Sequence, residues 1–331
     1  MRPDVGEFAV VDALPDVLIV LLAAVTHLAD PWFLFGLLAA VYWFGDDRLS
    51  ETPRRSGATA IALVTCAYAG VALGKAAFAL PRPPGADPAM VTAADVPSWL
   101  PSLFVAWFEG QLVSDGFAFP SGHATGAVVA YGGLALLAER LWTRHRRIAL
   151  AALIAVPVAL SRVAIEVHYL ADVVAGVLLG VAVIGGGLWL AGATGRLRSS
   201  WTGRPISPWR GRQSPEPLPI FLLGGGVSLL AAGVAVAGGH SGEVVEASIG
   251  IGTGLGGALG WTLVSGDEPP VPIRVALGAL TIAGGVWIAA FGFDIGPIVA
   301  VVAAGVAVAI VLALPSLATR IGDKNGRFGP G

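Results

Sequence analysis

Stretches of about twenty mostly apolar residues, each long enough to cross a bilayer as one helix, recur along this chain, roughly at 57–80, 121–138, 148–164, 168–191, 219–238, 244–266, 271–291 and 294–316. A soluble globule cannot hide so many of them. Hydrophobic residues make up 55% of the chain and charged ones 13%, which leaves too little polar surface to cover a water-soluble fold of this length. The sequence therefore predicts an all-α fold, a polytopic membrane helix bundle. Residues 9–45 are apolar as well, but Asp30 and Pro31 read as a helix N-cap and first-turn proline, splitting the region into two helices shorter than a span. The opening MRPDVGEF has one arginine followed by Asp4, Glu7 and Asp12, with no small-residue cleavage site after it, so the first helix is expected to stay attached.

The net charge of -2 points to no particular partner and gives no reason to invoke nucleic acid, while the one cysteine, Cys66, sits inside an apolar stretch. Charge distribution is more informative. Arginines gather in three connections: Arg48, Arg54 and Arg55; Arg140, Arg144, Arg146 and Arg147; and Arg196, Arg198, Arg204, Arg210 and Arg212. The positive-inside rule assigns these to the cytoplasm. An even number of segments separates each cluster from the next, as one shared side requires. Residues 81–120 and the turn near 162–168 then face outward, and the C-terminus faces the cytoplasm.

Lys75, Arg82 and Arg162 stand at or near that outer face, where insertion statistics disfavour cations, and such charges are functional candidates. Lys75 and Arg82 are seven residues apart, about 10 Å on one face if the segment is helical. Pro81 and Pro83 stop the helix there. The segment FPSGH opens the next apolar stretch. Ser121 supplies a hydroxyl, Gly122 lets a ligand approach the backbone, the first free amides form an anion site, and His123 adds a titratable group. Further on, His168 and Asp172 have the spacing of one helix face, so the carboxylate can hold one imidazole nitrogen and leave the other free to attack. Together these groups suit phosphoryl transfer that calls for no metal and no cofactor: cations and amides take the oxygens, one histidine attacks and the other protonates the leaving oxygen. A zinc site on His123 and His168 lacks further ligands, and His27, His145 and His240 read as satisfied or solvated.

These three segments resemble, in order, the signature of the type 2 phosphatidic acid phosphatase superfamily. Lys75, Arg82 and Pro83 meet its first motif, Pro120, Ser121, Gly122 and His123 the second, and Ser161, Arg162, His168 and Asp172 the third. The resemblance implies that His168 is the nucleophile forming a phosphohistidine, that Asp172 orients it, and that His123 is the general acid. Lys75, Arg82, Ser121, Gly122 and Arg162 would bind phosphate. It further implies a six-helix membrane phosphatase domain over 1–192, acting at the outer face of the cell membrane on a bilayer lipid such as a polyprenyl pyrophosphate or phosphatidic acid. The alternative is a transporter that binds phosphate or lipid phosphate without hydrolysing it.

The resemblance leaves the rest unassigned. Between the first two motifs, WLPSLFVAWFEGQL places Trp99, Leu103, Trp107 and Phe108 near helical spacing, an interfacial helix that is either a gate or plain packing. Residues 193–217 read as a Pro-, Ser- and Arg-rich cytoplasmic linker, 218–316 as about four further spans without an assigned role, and 317–331 as a short polar tail. In GIGTGLGGALG the glycines are expected to permit close helix packing rather than to bind a dinucleotide, and Glu243, Glu246 and Asp294 are too scattered to define an ion path.

Overall fold

The computed structural model describes residues 5–202, 215–264, 271–292 and 296–324. Residues 203–214 of the expected linker, Asp294 and the end of the tail lie outside them. Among the described residues there are twelve α-helices and no strand, the all-α bundle that the apolar periodicity predicts. They are α1 (Glu7–Val11), α2 (Asp16–Val25), α3 (Pro31–Phe44), α4 (Pro53–Phe78), α5 (Ser102–Leu112), α6 (Gly122–Leu137), α7 (Arg144–Ala164), α8 (Leu170–Thr202), α9 (Leu218–Gly238), α10 (Ser241–Thr262), α11 (Ile273–Gly292) and α12 (Gly296–Lys324). Helix α8 runs past residue 193, into the stretch read as linker.

Among the described residues, five helices are long and apolar enough to cross a membrane: α4, α7, α9, the first part of α8 and most of α12. The first apolar region supplies a sixth only as a broken span. Helix α2 ends in a 3-10 turn at Thr26–Ala29, and α3 leaves it at 52°, with Pro31 in its first turn. The break lies where the Asp30–Pro31 pair predicts it.

Helix α4 is the hub. It packs on α6, α9 and α10, and its Ala-, Gly-, Ser- and Thr-rich surface is buried nearly all round. Helix α10 lies between α9 and α12, and its glycines explain how closely. A side chain at Gly252 or Gly256 would collide with the α12 backbone at Val301 or Gly305, and one at Gly254 with the α9 backbone at Gly225. Those glycines are packing surfaces, as expected.

All three motifs come to one end of the bundle, at the C-terminal ends of α4 and α7 and the N-terminal ends of α6 and α8. The two arginine-rich connections that lie among the described residues, around 48–55 and 140–147, come to the other end. There the Arg140 guanidinium donates to the Asp47 carbonyl at 3.0 Å and lies 3.4 Å from the Glu51 carboxylate, and Arg55 pairs with Glu216 at 2.8 Å.

Candidate active site

Lys75, in the last turn of α4, is brought to the site by a close helix approach. Gly74 has no side chain, and Pro120 fills that space; a Cβ at Gly74 would collide with the proline ring. The first two motifs are thereby locked together. Arg82 does not extend α4 by two turns. The helix ends at Phe78 and turns through Ala79 at φ 46°, just before the proline-rich stretch. Arg82 instead returns from the loop, its Nε donating to the Asp115 carbonyl at 2.9 Å and its Nη1 to the Val167 carbonyl at 3.0 Å.

The same Nη1 lies 3.1 Å from His168 Nε2. A guanidinium only donates, so Nε2 is the lone-pair nitrogen and the ring proton resides on Nδ1. Nδ1 faces Asp172 Oδ2 across 3.5 Å, long for a hydrogen bond. His168 itself precedes α8, while Asp172 stands in the first turn of α8, where Oδ2 also accepts the Tyr169 amide at 3.0 Å. The pair therefore meets around a helix start rather than along one helix face. His168 is 2% exposed and Asp172 is fully buried. Burial drives the His168 pKa down to about 3, Arg82 and Arg162 push the same way, and Asp172 opposes them. His168 is thus neutral at physiological pH. Arg82, also outside the spans, has its pKa lowered by burial, an effect opposed by nearby carboxylates led by Glu246.

Arg162, 5% exposed at the end of α7, donates from Nη1 to Thr26 Oγ1 at 2.7 Å and leaves its buried Nε without a partner. It lines a cavity of about 300 Å³ together with Lys75, Arg82, Gly122, His123 and His168. A side chain at Gly122 would meet only Val71 and Tyr68, at ordinary contact distances of 3.6 and 4.0 Å. Its absence therefore leaves room beside the first turn of α6. Ser121 and Asp172 do not line the cavity. Ser121 is fully buried and caps α6, its Oγ accepting the Ala124 amide at 3.5 Å; Asp172 lies behind His168. Six of the eight expected residues share one cavity and the other two support it from behind. Among the described residues, no group of three His, Cys, Asp or Glu side chains is arranged to hold a metal ion.

Two contributors escaped the sequence reading. Asp30 makes no side-chain cap to α3. Its carboxylate instead lies 3.0 Å from His123 Nε2, 2.6 Å from His27 Nδ1 and 3.1 Å from the Trp32 indole N–H. Because a carboxylate only accepts, Nε2 of His123 carries a proton there. The Trp107 indole, on α5, donates to His27 Nε2 at 2.9 Å, which fixes the His27 proton on Nδ1. Thus α5 connects through His27 and Asp30 to His123. Phe108 beside Trp107 is buried, whereas Trp99, just before α5, and Leu103 are exposed.

The second contributor is Glu246, on α10. Both of its carboxylate oxygens lie 3.0 Å from Lys75 Nζ. No local pattern marks Asp30 or Glu246. Their partners are 93 and 171 residues away in the chain, and only the folded bundle brings them together. Glu246 also places a residue from beyond the motif-bearing region on the wall of the cavity.

No curated protein and no solved structure matches the chain. One family does, over a stretch that contains all three motifs and stops short of α9: residues 56–196 match the family model of the PAP2 superfamily, the type 2 phosphatidic acid phosphatase superfamily that the motifs resemble.

Proposed function

We propose that the protein is an integral membrane phosphatase that hydrolyses lipid phosphates or pyrophosphates, of the polyprenyl pyrophosphate or phosphatidic acid type, through a phosphohistidine at the extracytoplasmic face. The observation that carries this reading is the convergence of Lys75, Arg82, Arg162, His123 and His168 on one cavity, with the unprotonated Nε2 of His168 beside Arg82. The PAP2 match supports membrane lipid phosphatase activity, and the apolar helices support a multi-pass membrane protein. The arginine-rich end of the bundle, opposite the cavity, favours an outward-facing site.

In this mechanism the three cations and the free amides of α6 neutralise the phosphoryl oxygens. Arg82 transfers its hydrogen bond from Nε2 to an entering phosphoryl oxygen, which frees the lone pair. Nε2 attacks phosphorus, the bond to the leaving oxygen breaks, and His123 gives that oxygen a proton. Asp172 stabilises the positive ring that forms. His123 then takes a proton from water, the water oxygen attacks phosphorus, and the P–N bond breaks with its electrons returning to Nε2. Inorganic phosphate leaves.

The test is phosphate release by detergent-purified protein from polyprenyl pyrophosphate, phosphatidic acid and a soluble sugar phosphate, with EDTA present. Release that persists in EDTA and falls to background in His168→Ala is expected. A folded protein that binds phosphate but releases none from any substrate would shift the assignment to transport.

A further inference from the structure

Three of the four C-terminal helices, all outside the family match, help to wall a second cavity. It measures about 440 Å³ and lies between α3, α4, α10, α11 and α12, with Phe33 and Gly36, Ile61, Leu280 and Gly284, and Val308 among its lining residues. The catalytic cavity adjoins it, because Phe35 and Thr253 line both. The two differ in chemistry. The first holds the cations and histidines; the second is apolar apart from Trp32 and Thr253, whose polar hydrogens are already engaged by Asp30 and by the Ile249 carbonyl at 2.7 Å. A chamber that offers water no partners is one that hydrocarbon fills better.

Depth fits the same occupant. On α4, Lys75 stands at the catalytic end, and Ile61 lies fourteen residues deeper, or about 21 Å along the helix. That passes the middle of a hydrocarbon core about 30 Å thick. The volume lies within the range of small-molecule sites, roughly 300–1,000 Å³. A molecule with a phosphate at one end and a single hydrocarbon chain at the other would place its two ends in two adjoining cavities of matching polarity.

We propose that this chamber is the tail site: the C-terminal helices receive the hydrocarbon chain of the substrate whose phosphate sits at His168, and they thereby select substrates by chain length. The headgroup half of this assignment rests on the phosphatase reading; the chamber itself is tested separately. Gly36 and Gly284 line it, and a Cβ added at either meets nothing within 4 Å. The first carbon of a side chain added there therefore has open space, and a leucine extends from it into the void. In Gly36→Leu and Gly284→Leu, the ratio of kcat/KM for a long-chain alkyl phosphate to that for a short-chain one should fall about tenfold or more, the loss expected when two or more methylenes lose their burial. Gly233→Leu, the same change at an exposed glycine of α9 with open space around it, is the control. An unchanged ratio in both chamber variants would overturn the proposal.

A second readout needs no turnover. A long-chain alkyl phosphate bearing a diazirine at its chain end should photolabel α3, α11 and α12 in His168→Ala, and the label should diminish when Gly36→Leu and Gly284→Leu are added. Labelling confined to the outer, lipid-facing residues, or equal chamber labelling by the corresponding alcohol, would mean that ordinary membrane lipid lies in the groove and would refute a substrate tail site. If the wild type hydrolysed neither substrate, the phosphatase reading would fall and the label alone would decide the chamber.

Discussion

In the proposed mechanism His168 is readied for attack by burial and two neighbours: burial keeps it neutral, Arg82 marks Nε2 as its lone-pair nitrogen, and Asp172 stands behind Nδ1. The sign of the pH dependence follows. A pKa lowered to about 3 leaves the free histidine unprotonated at every pH well above that value. The acid limb of kcat/KM should therefore lie well below the ordinary imidazole range near 6.5. An acid limb near 6.5 would contradict the buried, neutral nucleophile. In the same measurement Asp30→Asn should lower kcat by about 10- to 100-fold, part of what a general acid supplies, with KM little changed; a rise in KM at constant kcat would place Asp30 in binding instead. The motif residues were legible because each motif is short and local. Asp30 was read from its neighbour Pro31 as a cap, a local inference that the long-range pairing with His123 overrides.

Among the elements, α10 was the least legible. Its glycines predicted close packing, which the approach to α9 and α12 bears out, yet nothing in their spacing indicated that the same helix would carry a carboxylate to Lys75. Glu246 pairs with the lysine, and its charge opposes an incoming anion. The pair is partly exposed, with the Glu246 side chain 44% accessible, so its strength is that of a solvated ion pair. Glu246→Gln should lower the inhibition constant of inorganic phosphate by about two- to fivefold. Weaker phosphate inhibition would mean that the carboxylate's main task is to aim Lys75. The N-terminal region had a legible break, since Asp30–Pro31 is a strong local signal, but its consequence was not. The 52° bend is associated with a turn at which His27, Asp30 and Trp32 meet around one carboxylate.

At the scale of the molecule, the two halves are fastened at both ends. Lys75 pairs with Glu246 at the catalytic end. At the other, Arg55 pairs with Glu216, the Tyr42 hydroxyl donates to the Leu312 carbonyl at 2.7 Å, and the Trp43 indole donates to the Val311 carbonyl at 2.8 Å. A chain ending after Thr202 would expose the buried face of α4 that α9 and α10 cover. It should fail to give a monodisperse, active species in detergent, and co-expression of residues 215–331 should restore both; an active truncated chain would show that the halves are independent. Ribosomal synthesis gives the interlock an order in time. The motif-bearing helices are made and can enter the bilayer before α10 exists, so Lys75 initially has no carboxylate and the cavity no far wall. The pocket is completed only when the later helices arrive, and the proposed activity is accordingly acquired late in the biogenesis of each molecule.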